Sequence, residues 1–118
     1  MSKFLAIYMG SPSSPQMTAW DAMDEKTRKE REAAGMKAWM DWMAANAGSV
    51  LDQGGPLGKT KRTNADGVSD IKNYLTGYVI VEAPSHEAAA KMFENHPHFS
   101  IFPGDSVEIM TCPPIPGM

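Results

Sequence analysis

The chain has few of the features that are typical of secreted or membrane-bound proteins, such as paired cysteines and long apolar runs. Its single cysteine, Cys112, excludes a disulfide within the chain. No apolar run reaches the roughly 18 residues that a membrane-spanning helix needs. The apolar start, Met1 to Met9, is too short for a signal peptide and lacks a cleavage site. We therefore expect a cytoplasmic protein without a membrane partner.

An excess of basic residues is also missing. Lysine and arginine number 11 against 14 aspartates and glutamates, which gives a net charge of −3 at pH 7. Because general affinity for nucleic acid needs a basic face, we expect no nucleic-acid partner. A Walker loop, a dinucleotide fingerprint and a Gly-x-Ser-x-Gly elbow are absent as well. We expect the protein to work without a cofactor.

The sequence does contain enough apolar material for a single domain over residues 1–118. Hydrophobic residues make up 42% of the chain and charged residues 21%, as in ordinary globular domains. The 10 methionines supply flexible side chains, which fill gaps in a core and also line adaptable binding surfaces. We expect most of them to be core residues.

Apolar patterns predict the first elements. Lys3 to Met9 is an apolar run typical of a central strand. A helical region follows from about Thr18 to Ala47, with a kink or break at Gly35 because glycine weakens a helix. Short extended pieces come next, and then a polar loop over residues 64–70 that contains the turn pair Asp66-Gly67.

The second half of the chain completes a recognisable order. Asn73 to Glu82 is rich in β-branched and aromatic residues and predicts a strand. Ser85 is a suitable N-cap for a helix that reaches about Asn95 and stops at Pro97. Residues 106–111 predict the last strand. The order β-α-β-β-α-β is the ferredoxin-like α+β plan with an antiparallel sheet. Two helices cover one sheet face, and the open face needs a cover, so we expect a homodimer.

Three segments of the chain carry a family resemblance. They are Asp52-Gln53-Gly54-Gly55-Pro56-Leu57-Gly58-Lys59-Thr60-Lys61, then Gly77-Tyr78-Val79-Ile80-Val81-Glu82-Ala83 with Ser85, Glu87 and Ala88, and finally Gly104 with Val107-Glu108-Ile109 and a following proline. In this order they resemble the YCII-related family, particularly its DGPF-type branch. The resemblance implies a dimeric α+β barrel, in which two open sheet faces pack together. It implies little about chemistry, because most members have no assigned reaction.

The chain departs from one feature of this family. Some YCII-like proteins are thought to carry a His–Asp pair, with the histidine on the first helix. The first histidine here is His86, so no imidazole can come from the predicted first helix. Asp52 and Asp66 could supply a carboxylate, but the imidazole partner is missing. We assign no catalytic residue.

Two tryptophans are candidates for a ligand site. Trp39 and Trp42 stand three residues apart and therefore flank one helical face. They could pack in the core, which we favour, or one could line a pocket. The stripe expected to face the sheet is Met36, Trp39, Met40, Met43 and Ala47.

Two histidines and two lysines complete the candidates. His96 and His98 flank a proline, which fits either a polar helix end or a pocket wall. Imidazole is a common metal ligand, but two histidines are too few for a site, so we assign no metal. Lys59 and Lys61 share one strand face and could bind an anion, although lysines also protect exposed strand edges, which we favour.

Two classes of function remain open. The first is a non-catalytic module for small-ligand binding or assembly, which we favour slightly because no acid–base pair is visible. The alternative is a cofactor-independent small-molecule enzyme of isomerase, lyase or oxygenase type. A carboxylate beside an imidazole in a deep pocket would favour the enzyme. In either case the pocket is expected between the sheet and the first helix, and its candidate lining residues are Trp39, Trp42, Asp52, His96 and His98.

Overall fold

The computed structural model describes residues 1–117 and contains two antiparallel sheets and four helices within that range. The strands are β1 (Ser2–Met9), β2 (Val50–Pro56), β3 (Thr60–Asn64), β4 (Gly67–Ile71), β5 (Leu75–Ala83) and β6 (Ser106–Thr111). The helices are α1 (Pro15–Asp21), α2 (Glu25–Ala45), α3 (His86–Lys91) and α4 (Pro97–Ser100). None of these helices is long and apolar enough to cross a membrane.

The main sheet has the strand order β2-β5-β1-β6. Its central strand β1 pairs antiparallel with both β5 and β6, and β2 forms the other edge against β5. With β3 and β4 set aside as an insertion, the fourth strand lies beside the first, and the third lies between the first and the second. The ferredoxin-like α+β fold predicted from the sequence is therefore confirmed.

Buried and less buried side chains alternate along the two central strands, so one face of the sheet is more covered than the other. The core on the covered face consists of Phe4, Ala6, Tyr8, Val79, Val81, Ala83, Ala89 and Phe93. On the opposite face, the register pairs Leu5 with both Ile80 and Met110. On this second face Leu5 and Ile80 are half-buried and Met110 is 42% exposed, whereas Ile7 is buried.

The predicted first helical region is in fact two helices. A new helix begins after Asp24, whose backbone is extended and whose carboxylate accepts the Thr27 N–H at 2.7 Å, because an N-cap of this kind satisfies a free donor. The break expected at Gly35 was wrong, since α2 continues through it. A Cβ at Gly35 would lie 2.5 Å from the Phe102 ring, so the glycine makes room for that ring.

The inner face of α2 also differs from the predicted stripe. Met36 and Met40 are 55% and 68% exposed, and Ala47 is exposed beyond the end of α2, so the prediction was wrong for these three residues. Gly35 is buried, and Trp39 and Trp42 pack against the core. Two indoles, rather than a row of methionines, fill the space between α2 and the sheet.

The chain between β2 and β5 forms a separate hairpin of β3 and β4. The predicted polar loop over 64–70 was wrong for most of its length, because exposed polar strands show no apolar alternation. The two-residue turn is Ala65-Asp66, and Gly67, the second residue of the predicted turn pair, opens β4. There the Asn64 side chain accepts the Asp66 N–H at 3.0 Å, and Gly67 has a φ of +105°, which favours glycine.

The second helical region is shorter and more broken than predicted. Ser85 is the N-cap of α3, and its hydroxyl accepts the Ala88 N–H at 3.0 Å. Asn95 has a φ of +58°, so the chain leaves the helical path there. Pro97 was predicted to stop a helix, but it opens α4, because proline suits the first helical turn, where its missing N–H costs nothing.

Candidate ligand-binding site

A pocket of about 450 Å³ lies between α2 and one end of the main sheet. This volume falls in the range of small-molecule sites. Helix α2, strands β1, β2 and β5 and the segment that includes α4 all contribute to its wall. The lining residues are Tyr8, Met36, Trp39, Gln53, Gly55, Pro56, Thr76, Gly77, Tyr78, His98 and Phe102.

Aromatic rings define the inner wall of this pocket. The ring centroids of Tyr8 and Trp39 are 4.9 Å apart, and those of Trp39 and Phe102 are 6.1 Å apart. These separations and the tilted or edge-on angles are the arrangements that aromatic pairs prefer, so the rings hold one another in place. Burial raises the pKa of the Tyr8 phenol, which therefore stays a neutral hydroxyl.

The pocket wall contains one histidine, His98. The residue is 8% exposed, and its Nε2 lies 2.7 Å from the Met9 carbonyl oxygen. Because a carbonyl oxygen can only accept, Nε2 carries the proton, and Nδ1 of the neutral ring keeps a free lone pair. Burial lowers the pKa of His98, and the Met9 carbonyl and the Asp105 carboxylate oppose this change. A neutral His98 can accept a hydrogen bond from a ligand.

Gly104 has no Cβ, and the His98 ring occupies the space that a Cβ there would fill. Its N–H donates to the His98 carbonyl at 2.9 Å. Any Cβ at Gly104 would collide with the His98 imidazole and with the same carbonyl oxygen. This glycine therefore fixes the His98 side chain in its position against Met9.

His96 lies behind the pocket and is fully buried. Its Nδ1 accepts the His98 backbone N–H at 3.0 Å, while its Nε2 has no hydrogen-bond partner within residues 1–117. The rings of Trp39 and Trp42 lie 4.6 and 4.9 Å from the His96 ring, in perpendicular or nearly perpendicular orientations. Burial, followed by the charge of His98, lowers the pKa of His96 to about 4, so this imidazole is neutral at physiological pH.

The five candidate residues from the sequence occupy three different environments. Trp39 and His98 line the pocket, with ring centroids 6.1 Å apart. His96 and Trp42 are behind it, and the Trp42 Nε1–H donates to the Met92 carbonyl at 2.8 Å. Asp52 is exposed outside the pocket, where its carboxylate accepts the Gly54 N–H at 2.8 Å.

Other lining residues were missed in the sequence. Tyr8 follows Phe4 and Ala6 on the same face of β1, so strand alternation could have pointed to it. Phe102 lies in an irregular segment after α4, and its position depends on the space above Gly35, which the sequence does not signal.

The chemical character of the pocket follows from this wall. No lysine, arginine, aspartate or glutamate lines it. Among residues 1–117, no three histidine, cysteine, aspartate or glutamate side chains lie close enough to hold a metal ion. The pocket wall therefore carries aromatic stacking surface, hydroxyl and amide groups, and one imidazole ring.

Comparisons with known proteins give a likeness in fold. No family model matches the chain, and no curated protein matches it in sequence. One similar solved structure is 5-chloro-2-hydroxyhydroquinone dehydrochlorinase (TftG) from Burkholderia phenoliruptrix AC1100, in complex with 2,5-dihydroxybenzoquinone. The match has a TM-score of 0.53 and 17% identity, and it covers 94% of this chain and 93% of that one. The likeness supports the α+β fold of YCII-like proteins, and membership of that family stays a prediction.

Proposed function

We propose that the protein is a binding module for a small, neutral aromatic molecule, which it holds in the pocket between α2 and the sheet. The observation that carries the proposal is the ring wall of Tyr8, Trp39 and Phe102 beside the neutral imidazole of His98. Flat rings offer stacking partners, and the His98 imidazole, together with the hydroxyl and amide groups of the wall, would fix the orientation of a ligand.

The absence of charged residues from the wall argues for a neutral ligand. An anionic ligand would lose its hydration in the pocket without gaining a cationic partner there. A hydroxyl or N–H group on the ligand would instead donate to Nδ1 of His98. The expected ligand is therefore an aromatic ring that carries a neutral hydrogen-bond donor, such as a phenol.

The structural neighbour supports the size and type of ligand. Its solved complex contains 2,5-dihydroxybenzoquinone, a small oxygenated ring. This support is an analogy at the level of the fold, and folds of one kind host many functions.

The alternative is a cofactor-independent small-molecule enzyme. Two observations favour it: the neighbour is named as an enzyme, and His98 is a neutral base beside the pocket. A base poised in this way can remove a proton from a bound hydroxyl. No carboxylate lines the pocket to orient or assist that base, which is why we prefer the binding role.

We also propose that the protein is a homodimer that buries the uncovered sheet face. Leu5, Ile80 and Met110 would then leave water in an interface of roughly 2,000 Å² or more, as in other obligate dimers. Light scattering should give twice the chain mass of 12.9 kDa at micromolar concentration. A monomer would contradict this arrangement.

The ligand proposal is tested by thermal shift with a panel of small phenols and their methyl ethers. A ligand that binds only the folded protein raises its melting temperature. We expect phenols to raise it more than their ethers, and W39L to lose the effect. M40L is the matched control, because Met40 is exposed on the same helix. Equal binding of the phenols to W39L and wild type would exclude this pocket.

The same ligands separate the two roles. His98→Gln keeps a polar side chain and removes the base. If wild type only binds the ligand and leaves it unchanged, the module is supported. If wild type converts the ligand and H98Q still binds it without conversion, the protein is an enzyme.

A further inference from the structure

A second cavity, of about 520 Å³, lies at the base of the β3–β4 hairpin and outside the aromatic pocket. Two lysines line it, and no carboxylate does. Its lining residues are Pro12, Gly58, Lys59, Thr60, Ile71, Lys72, Asn73, Tyr74 and Leu75. None of them belongs to the wall of the aromatic pocket.

The two lysines directly flank the last register pair of the hairpin. Thr60 pairs with Ile71 at the open end of the hairpin, so Lys59 and Lys72 are the next residues outward on the two strands. Two like charges at the open end of a hairpin repel each other. Within residues 1–117, neither lysine forms an ion pair.

The next register pair on the same side of the hairpin brings opposite charges together. Lys61 faces Asp70, and its Nζ lies 2.7 Å from the carboxylate. The carboxylate of the neighbouring register pair is therefore already paired with another lysine. Lys59 and Lys72 also lie beyond the last paired residues of the two strands, so protection of a strand edge does not explain them.

Hydrogen bonds hold the floor of this cavity in place. The Asn73 amide donates to the Thr60 hydroxyl at 3.2 Å, and its oxygen accepts the Leu75 N–H at 3.1 Å. The Gly10 N–H donates to the Tyr74 carbonyl at 2.9 Å and ties the floor to the end of β1. Since the Thr60 hydroxyl accepts from Asn73, its own proton is available to a ligand.

We propose that this cavity binds the phosphate group of a small phosphomonoester. Two ammonium groups match the two negative charges of the phosphate, whereas a carboxylate would neutralise only one. Lysine is a common phosphate partner as a compact point charge. Tyr74 and Leu75, which are 54% and 39% exposed, offer apolar surface to the organic part of the ligand. The net charge of −3 means that general attraction of the whole chain for anions does not account for such binding.

The test measures the binding of phenyl phosphate, inorganic phosphate and benzoate by amide chemical shifts at low salt. We expect phenyl phosphate to bind most tightly and to shift the amides of residues 58–60 and 72–75. The double variant K59Q/K72Q should weaken its binding at least about tenfold, since each lost ammonium removes a charge-assisted contact. K59Q and K72Q alone should each give an intermediate loss. Equal binding of benzoate and phenyl phosphate would overturn the proposal.

Two control variants exclude general charge effects. K61Q/D70N removes the neighbouring ion pair and keeps the net charge of the hairpin, so it should leave the affinity unchanged. K29Q/K37Q removes the same two positive charges as the test variant but from α2, where both lysines form ion pairs. If K29Q/K37Q weakened binding as much as K59Q/K72Q, the site would not exist. W39L should bind phenyl phosphate as wild type does, which separates this site from the aromatic pocket.

Discussion

The backbone N–H of His98 donates to Nδ1 of His96 at 3.0 Å, so one imidazole fixes the backbone that carries the other. His96 is thereby the N-cap of α4, in a place where short polar residues are usual. Its fully buried ring lies against Trp39, which lines the pocket. The core and the candidate site are therefore joined through His96.

Burial of His96 predicts a dependence of stability on pH. The folded state lowers its pKa from 6.5 to about 4, so the unfolded chain binds more protons between these values. The free energy of unfolding should therefore fall as the pH falls from 6.5 to 4, by up to roughly 3 kcal/mol. His98, whose pKa is also lowered, acts in the same direction. Urea denaturation at several pH values measures the slope.

The control for this prediction is His96→Asn. Asparagine keeps an N-cap acceptor for the His98 N–H but does not titrate in this range. H96N should be less stable than wild type at pH 7 and should lose most of the slope between pH 6.5 and 4. An unchanged slope would show that other groups cause the dependence.

Replacement of Gly104 should disturb the site directly. In Gly104→Ala, the new Cβ collides with the His98 ring, so the imidazole must leave its hydrogen bond with Met9. We expect a loss of about 1–3 kcal/mol in stability, as for other overpacked sites, together with weaker binding of pocket ligands. Gly48→Ala is the matched control, because a Cβ at Gly48 meets nothing within 4 Å. A stable G104A that binds normally would contradict the placement of His98.

Replacement of Gly35 should destabilise the protein although alanine is the better helix former. The intrinsic gain is about 1 kcal/mol, whereas the contact of the new Cβ with the Phe102 ring costs about 1–3 kcal/mol. Phe102→Leu should relieve the contact, so the double variant G35A/F102L should be more stable than the sum of the two single changes predicts. Additive effects would show that the two residues are not coupled.

The two tryptophans of α2 should separate stability from binding. Trp42→Phe removes the hydrogen bond to the Met92 carbonyl and should cost about 1–3 kcal/mol without changing the affinity of the pocket for its ligand. Trp39→Ala should lose ligand binding in addition to about 3–5 kcal/mol of stability. Denaturant midpoints and ligand titrations measure the two effects. Loss of binding in W42F alone would show that the ligand lies behind the predicted wall.

The sequence predicted those parts of the fold in which apolar residues form runs. Strands β1, β5 and β6 were predicted for this reason, and their order led to the sheet topology. The hairpin was not predicted, because β3 and β4 expose almost every side chain. The boundary at Asp24 was missed inside a charged run, although aspartate is among the favoured N-cap residues.

The candidate site was only partly predictable for a different reason. Trp39 was predicted because it stands at helical spacing from Trp42, and His98 because it stands two residues from His96. Phe102 carries no local signal, because its place depends on Gly35 in another element. Asp52 was predicted to line the pocket because a carboxylate could act there, but its carboxylate accepts the Gly54 N–H in a turn. The sequence shows which side chains could bind a ligand, but the tertiary contacts determine which of them line the same pocket.

We propose that the pocket orients an aromatic ligand through Nδ1 of His98. The most direct measurement is the ¹⁵N chemical shift of that nitrogen during titration with a phenol that raises the melting temperature. We expect the His98 Nδ1 signal to shift and to saturate with binding, while the Nδ1 signal of His96, which already accepts a backbone N–H, changes little. A His98 signal that stays unchanged at saturating ligand would contradict it.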